Sequence, residues 1–260
     1  MMIQNYVRAK SLEEAYALNQ NKKNRVLGGM LWLKMQDIAV PTAIDLCELG
    51  LDTIEETDEE FSIGAMVSLR QLEVHPGLNG YTNHAIADAL GGIVGVQFRN
   101  MATVGGSIFG RFGFSDVLTV FLAMDSYVEL YKGGIVPLEQ FVSMERDRDI
   151  LVRLIVKKSL GRFVYQSMRV SRTDFPVLTC AAAWVKDGYQ VVIGARPGCA
   201  VVLRDQQNLL SGGVNETSAE AFANYAANTV STDTNVRGSA EYRTHLVRVL
   251  TKRALLGLEE

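Results

Sequence analysis

The sequence is poor in the residues that build metal clusters and hydrolytic centres. Its 260 residues include three cysteines, Cys47, Cys180 and Cys199, and three histidines, His75, His84 and His245. The cysteines form no C-x-x-C pair, so neither a zinc site nor a cysteine-held iron–sulfur cluster finds its ligand spacing, and each reads as a reduced structural thiol. No histidine stands at a recognisable spacing from a Ser, Cys or carboxylate partner, which leaves a hydrolytic triad without support. Cationic excess is missing too. A net charge of −3 and a pI near 5.7 give no broad positive field for nucleic acid or an anionic membrane surface. The longest apolar run, Val117 to Met124, is interrupted by Thr119 and is too short to span a bilayer, and MMIQNYVRAK at the start has no signal-peptide core. A cytoplasmic protein is the expectation.

What is there is an ordinary globular composition, 48% hydrophobic and 21% charged, enough for a substantial core in one large or two modest domains. Ser11-Leu12-Glu13-Glu14 has the form of a capping box and predicts a short helix that stops in Asn19 to Asn24. Arg25-Val26-Leu27 reads as a short strand entering Gly28-Gly29. Strands are predicted at Ala43 to Leu46, Thr53 to Glu56 and Phe61 to Ala65, a helix from Ser68 ending near Pro76-Gly77, and another over His84 to Leu90. Ser115 or Asp116 is placed to cap a helix over Val117 to Met124. Tyr127 to Leu130 and Ile150 to Val156 read as further strands, the second ending a first domain. The alternation is an α+β pattern without regular βαβ units.

The last hundred residues change character. Cys180 to Val185 and Tyr189 to Ala195 read as a hairpin through Lys186-Asp187-Gly188, because Asp and Gly both tolerate positive φ, and Cys199 to Leu203 as a third strand. Thr217-Ser218-Ala219-Glu220 predicts a capped helix to about Asn228. A final helix runs from Ser239 to Leu256 with Tyr242, Leu246, Val249 and Leu250 on one face.

Two glycine pairs are the candidates for chemistry. Gly28-Gly29 follows a strand. Gly105-Gly106 sits in Thr103-Val104-Gly105-Gly106-Ser107, inside GVQFRNMATVGGSIFGRFGFSD, where backbone N–H groups free of Cβ neighbours suit an anion. Neither fits G-x-G-x-x-G or the triphosphate loop. A pyrophosphate between two such turns needs no Lys or Arg cluster, since neutral backbone donors hold it. Asp116 is placed to cap its helix, to accept from a sugar hydroxyl, or both.

These residues resemble a known family. From about Val26 to the C-terminus the chain is similar to the FAD-binding subunits of the molybdenum hydroxylases, the xanthine dehydrogenase and carbon monoxide dehydrogenase family. The family's A-G-G-T-x-L motif appears as Leu27-Gly28-Gly29-Met30-Leu31-Trp32-Leu33. Its Q-[IV]-R-N-x-A-T-[IV]-G-G-N motif, followed by S-D, appears as Gln97 to Ser107 and then Ser115-Asp116. Gly238 to Arg243 is similar to a C-terminal S-A-x-Y-R signature. The resemblance implies a two-part FAD-binding domain of the vanillyl-alcohol oxidase-like (PCMH) type over residues 1–160, with subdomains of about 1–57 and 58–160, and a C-terminal domain over 161–260 with a three-stranded sheet and helices. It implies cofactor contacts from Leu27 to Leu33, from Thr103, Gly105, Gly106 and Ser107, and from Asp116, Leu151 and Tyr165, with Arg99 and Asn100 bracing the loop. Four positions depart from the pattern: Met30 replaces a polar residue, Ser107 an asparagine, Gly113 a proline, and Ser167 a lysine, with Arg169 close by.

The function implied is electron transfer, with redox chemistry supplied by FAD and no acid, base or nucleophile from the chain. Electrons would come from a molybdopterin-binding large subunit through the [2Fe–2S] clusters of a small subunit, then pass by FAD to NAD+ or another acceptor. The cysteine count disfavours an additional cluster in this chain. Two other readings stay open. One is a self-contained FAD-dependent oxidoreductase of the vanillyl-alcohol oxidase or enolpyruvyl reductase type, and the other a scaffold subunit that has lost FAD.

Overall fold

The computed structural model describes residues 1–186 and 188–259. In chain order the elements are β1 (Met2–Arg8), α1 (Leu12–Asn19), β2 (Arg25–Leu27), β3 (Ala39–Asp45), β4 (Ile54–Glu56), β5 (Glu60–Gly64), α2 (Leu69–Val74), α3 (Pro76–Tyr81), α4 (Ala85–Gly91), α5 (Val96–Met101), α6 (Val104–Phe109), α7 (Asp116–Leu122), β6 (Ser126–Leu130), β7 (Gly134–Pro137), α8 (Leu138–Ser143), β8 (Leu151–Lys157), β9 (Gly161–Met168), β10 (Leu178–Val185), β11 (Gly188–Gly194), β12 (Val201–Arg204), α9 (Glu216–Thr229) and α10 (Ala240–Leu256). Contacts divide the chain into two units. The first comprises Met1–Leu72, Val96–Gly110 and Ser126–Lys157, the second Glu73–Gly95, Arg111–Asp125 and Lys158–Glu260. Among the described residues no helix is long and apolar enough to cross a membrane.

The first unit holds two sheets. In one, β3 lies between β1 and β2, parallel to both. Strand β1 is mostly solvent-facing, as an edge strand is, and so carries no alternation by which sequence periodicity reveals it. Helix α1 starts as its capping box predicts: Ser11 Oγ accepts from Glu14 N at 3.1 Å, and the Glu14 carboxylate accepts from Lys10 N at 2.8 Å. Its Ala15 packs with Ala9, Ile44 and Leu46. The polar break after it is tied down by Arg148, which donates to the carbonyls of Asn19, Asn21 and Asn24 at 2.6, 2.9 and 3.0 Å and to Asn19 Oδ1 at 2.7 Å. That clamp fixes where β2 begins. The other sheet is antiparallel in the order β4-β5-β8-β6-β7, and β8 brings buried Leu151, Val152, Leu154, Ile155 and Val156 to its centre.

The second unit is built on the antiparallel sheet β12-β11-β10-β9. The sequence predicts three strands here; the fourth is β9. Leu178, Cys180 and Ala182 of β10 join Val191 and Ile193 in a core with Phe222, Ala226, Leu246, Val247 and Leu250 of α9 and α10. From the opposite face of β10, Thr179 meets Thr119 of α7, their hydroxyls 2.9 Å apart. Covered on both faces, β10 is a continuous run of apolar and small residues. It pairs with β11 from Thr179↔Gly194 to Val185↔Gly188, which agrees with a hairpin; Asp187 at its tip lies outside the described residues.

Three local expectations change. Pro76 starts α3 as its first residue, with His75 as N-cap, where the sequence reading ends a helix; proline has no N–H to lose at that position. The cap of α9 is Asn215, in a reciprocal box with Ser218. On α10 the buried stripe takes in Arg243 and Val247, whereas Tyr242 is exposed. Arg243 is wholly buried because its guanidinium donates to the carbonyls of Val177, Asp233 and Gly238 and to Asn235 Oδ1.

Candidate cofactor-binding site

In the first unit, β2 ends at buried Leu27 and the chain turns through Gly28 and Gly29. Met30 follows in the left-handed region at φ 58°, a conformation that costs an L-residue about 1–2 kcal/mol. A short 3-10 turn, Leu33–Met35, closes the loop with Lys34 N donating to Met30 O at 2.9 Å. Met30 and Leu33 pack towards Leu27, Val40 and Ala43, and Trp32 is exposed. Among the described residues, the amides of Gly28, Gly29, Met30 and Leu31 meet no acceptor in the chain. Successive unfilled donors on a turn that follows a strand form a cradle for an anion.

The glycines are dictated by closeness. A Cβ on Gly28 would stand 2.7 Å from Thr103 Oγ1, and one on Gly29 1.8 Å from Met101 O. Gly28 therefore lies directly against the start of α6.

That second stretch differs from its sequence reading. Gly105 and Gly106 lie in the first turn of α6, not in an open loop, and the amides there are occupied. Val104 N donates to Val67 O at 2.9 Å, Gly105 N to Ala65 O at 2.7 Å, Gly106 N to Thr103 Oγ1 at 3.1 Å and Ser107 N to Thr103 O at 3.0 Å. Thr103 is the N-cap, and glycine at 105 lets the helix lie on Ala65, whose carbonyl oxygen would be 2.7 Å from a Cβ. Ser107 Oγ donates back to Thr103 O at 3.0 Å. Of the two glycine pairs, Gly28-Gly29 is thus the one that leaves donors open, with Thr103 and Gly106 as its floor. Leu151 is buried at the head of β8.

In the second unit Ser115 caps α7, its Oγ accepting from Leu118 N at 3.1 Å. This frees the Asp116 side chain. Its Oδ1 accepts from both the Tyr165 hydroxyl and Arg169 Nη2, and all these side chains are more than nine-tenths buried. Burial pushes Asp116 above the ordinary carboxylate value, with Arg169 and the Tyr165 hydroxyl pulling it back. Burial and the neighbouring carboxylate hold the Tyr165 hydroxyl well above its usual range. Arg169 is the residue that helix and strand patterning misses. The signal is period two: Tyr165, Ser167 and Arg169 alternate along and just past β9. Glycine at 113 also finds its reason, because a Cβ there would lie 2.4 Å from Pro197 O.

A strand ending in a glycine turn with unfilled amides presents backbone donors that suit an anionic ligand. The family follows from comparison with known proteins. Residues 1–158 match the FAD binding domain in molybdopterin dehydrogenase, and residues 163–258 match the CO dehydrogenase flavoprotein C-terminal domain; the chain belongs to this family of FAD-binding oxidoreductase subunits. It is 27% identical over 258 residues to the uncharacterized protein YgfM of Escherichia coli, covering 96% of this chain and 94% of that one. It is 26% identical over 230 residues to a xanthine dehydrogenase FAD-binding subunit of Escherichia coli, covering 81% and 78%. Its fold is similar to a chain of carbon monoxide dehydrogenase from Hydrogenophaga pseudoflava, with a TM-score of 0.86 at 22% identity over 98% of this chain and 97% of the other.

Proposed function

We propose that this chain is the FAD-carrying electron-transfer subunit of a multi-subunit molybdenum hydroxylase. It takes electrons from the [2Fe–2S] clusters of a small subunit, which are filled by a molybdopterin-binding large subunit, and passes them to NAD+ or another acceptor in the cytoplasm. The observation that carries the reading is the run of unfilled amides from Gly28 to Leu31. They fit the pyrophosphate of FAD, which neutral backbone donors hold without a cationic cluster. Bound FAD supplies a redox group that accepts electrons singly and releases them in pairs. The chain's own residues bind and orient it. Gly28, Gly29, Met30 and Leu31 donate to phosphate, and Leu27, Trp32 and Leu33 shape the loop. Thr103 and Gly106 form its floor, Gly105 and Ser107 hold that floor in the first turn of α6, Asp116 accepts from a cofactor hydroxyl, and Leu151 and Tyr165 supply apolar surface. Residues 1–160 form the FAD-binding part and 161–260 the C-terminal part.

The test is Gly106→Val. Among the described residues a Cβ at 106 meets Thr103 Oγ1, at 3.1 Å, a side-chain hydroxyl that must give by a few tenths of an ångström where backbone would not, while the branched side chain intrudes on the floor of the cradle. The variant is expected to keep its circular dichroism and lose its yellow flavin. Flavin content equal to that of the wild type would overturn the assignment.

A further inference from the structure

A carboxylate in a wholly buried helix is stable there only when opposite charge or hydrogen-bond donors reach it. Asp116 begins α7, every residue of which is buried. The elements around it bring few charges. Helix α4 brings Asp88, with His84 just before it; β9 brings Tyr165, and Arg169 lies beyond its end; β10 and β11 bring Thr179 and Gln190, the Cys180 thiol lying on the other face. Among the described residues, Arg169 is the cation recorded in contact with the Asp116 carboxylate. The guanidinium is itself held on several sides. Its Nε donates to Ser167 Oγ at 3.3 Å, Nη1 to Asp174 O at 2.5 Å and Nη2 to Asp116, and Gly92 leaves it room, since a Cβ there would lie 2.9 Å from Nε.

We propose that Arg169 is a positioning residue that holds Asp116 as a fixed carboxylate, its Oδ1 turned to the Tyr165 hydroxyl, so that it serves as an acceptor for a hydroxyl of FAD. This rests on the FAD reading above. A protonated Asp116 would present a donor and lose its pairing with the guanidinium. Burial already outweighs its opponents and Arg169 is the chief of these, so removing the guanidinium raises the carboxyl further, with the Tyr165 hydroxyl and the backbone left to oppose it. The Tyr165 hydroxyl, held well above its ordinary value, remains a donor throughout.

The experiment compares wild type, Arg169→Met, Arg169→Lys and the double variant Arg169→Met/Asp116→Asn, first without FAD. Infrared spectra at neutral pH are expected to show a protonated-carboxyl band in Arg169→Met that is absent from wild type, from Arg169→Lys and from the double variant. The stability of Arg169→Met carries the matching sign. A carboxyl with a raised folded-state pKa favours folding below its unfolded value and loses that contribution as pH rises through the folded one. The melting temperature of Arg169→Met should therefore fall with rising pH relative to the wild type. FAD titrations by fluorescence then separate positioning from packing. Affinity in Arg169→Met should weaken about tenfold for each pH unit below the raised carboxyl value, recover on alkalinisation, and be restored by Arg169→Lys. An Asp116 still ionised in Arg169→Met, or an affinity loss equal at every pH, would overturn the proposal. Should methionine prevent folding, Arg169→Gln replaces it and carries the same two outcomes. A wild type that takes up no FAD overturns the proposed function instead, and the infrared comparison then still decides whether Arg169 keeps Asp116 ionised.

Discussion

Gly29 and Gly106 are both glycines of a candidate site, but their substitutions should act differently. A Cβ at 29 would stand 1.8 Å from a backbone carbonyl and one at 106 3.1 Å from a hydroxyl. A carbonyl in the backbone cannot swing away, so Gly29→Ala is expected to lose about 3 kcal/mol of stability, in the upper range for overpacking, measured by urea denaturation. Gly106→Val should lose flavin while staying folded. The thiols divide just as sharply. Cys180 is buried and burial pushes it up to about 12, whereas Cys47 and Cys199 are exposed. An alkylating reagent at mildly alkaline pH should modify Cys47 and Cys199 in the native protein and Cys180 only after unfolding, read by mass spectrometry. At this scale the turn at Gly28-Gly29 and a carboxylate just after a capping serine, Asp116, have local signatures in the sequence, whereas Gly105-Gly106 reads there as a turn and lies in a helix. Which amides are already occupied has no such signature. Gly105 N finds its acceptor in Ala65, forty residues away, and no local pattern records such a partner.

The elements were legible in proportion to how local their causes are. Ser11 caps the helix the sequence assigns it, and of Ser115 and Asp116, both offered by the sequence as cap of α7, Ser115 takes the role. Strand β1 has no signal because its exposed face has no period, and β9 because the alternation of Tyr165, Ser167 and, just past its end, Arg169 is polar at two of three positions. Arg148 belongs to this scale too. Its bonds to Asn19, Asn21 and Asn24 fasten the loop before β8 to the segment that leads into β2 and the Gly28 cradle. Arg148→Met removes charge-assisted donors from several carbonyls at once. A loss of about 2–3 kcal/mol is expected, in line with hydrogen bonds to charged groups. Hydrogen exchange should report it as faster opening at Arg25, Val26 and Leu27 than at β8. Equal change in both would mean that the clamp does not act on the loop.

Across the whole molecule, the two family models meet between residues 158 and 163, while contacts assign residues 73–95 and 111–125 to the same unit as the C-terminal sheet. Helix α7 reaches that sheet through Thr119, which meets Thr179, and through the carbonyl of Ala123, which accepts from Gln190 Nε2 at 3.0 Å. A fragment of residues 163–260 lacks α7, so the face of β10 and β11 that it covers would meet water. Such a fragment is expected to be poorly soluble and to bind a hydrophobic dye, where the full chain does neither.

The chain passes between its two units repeatedly, each being assembled from three separate stretches. No single cleavage can therefore release one of them intact, and a gene split near residue 160 would leave residues 73–95 and 111–125 of the second unit on the product that carries the first. The polypeptide is inherited, synthesised and lost as one piece: ribosomes must deliver residues beyond 178 before α7, made some sixty residues earlier, has the strand it will cover.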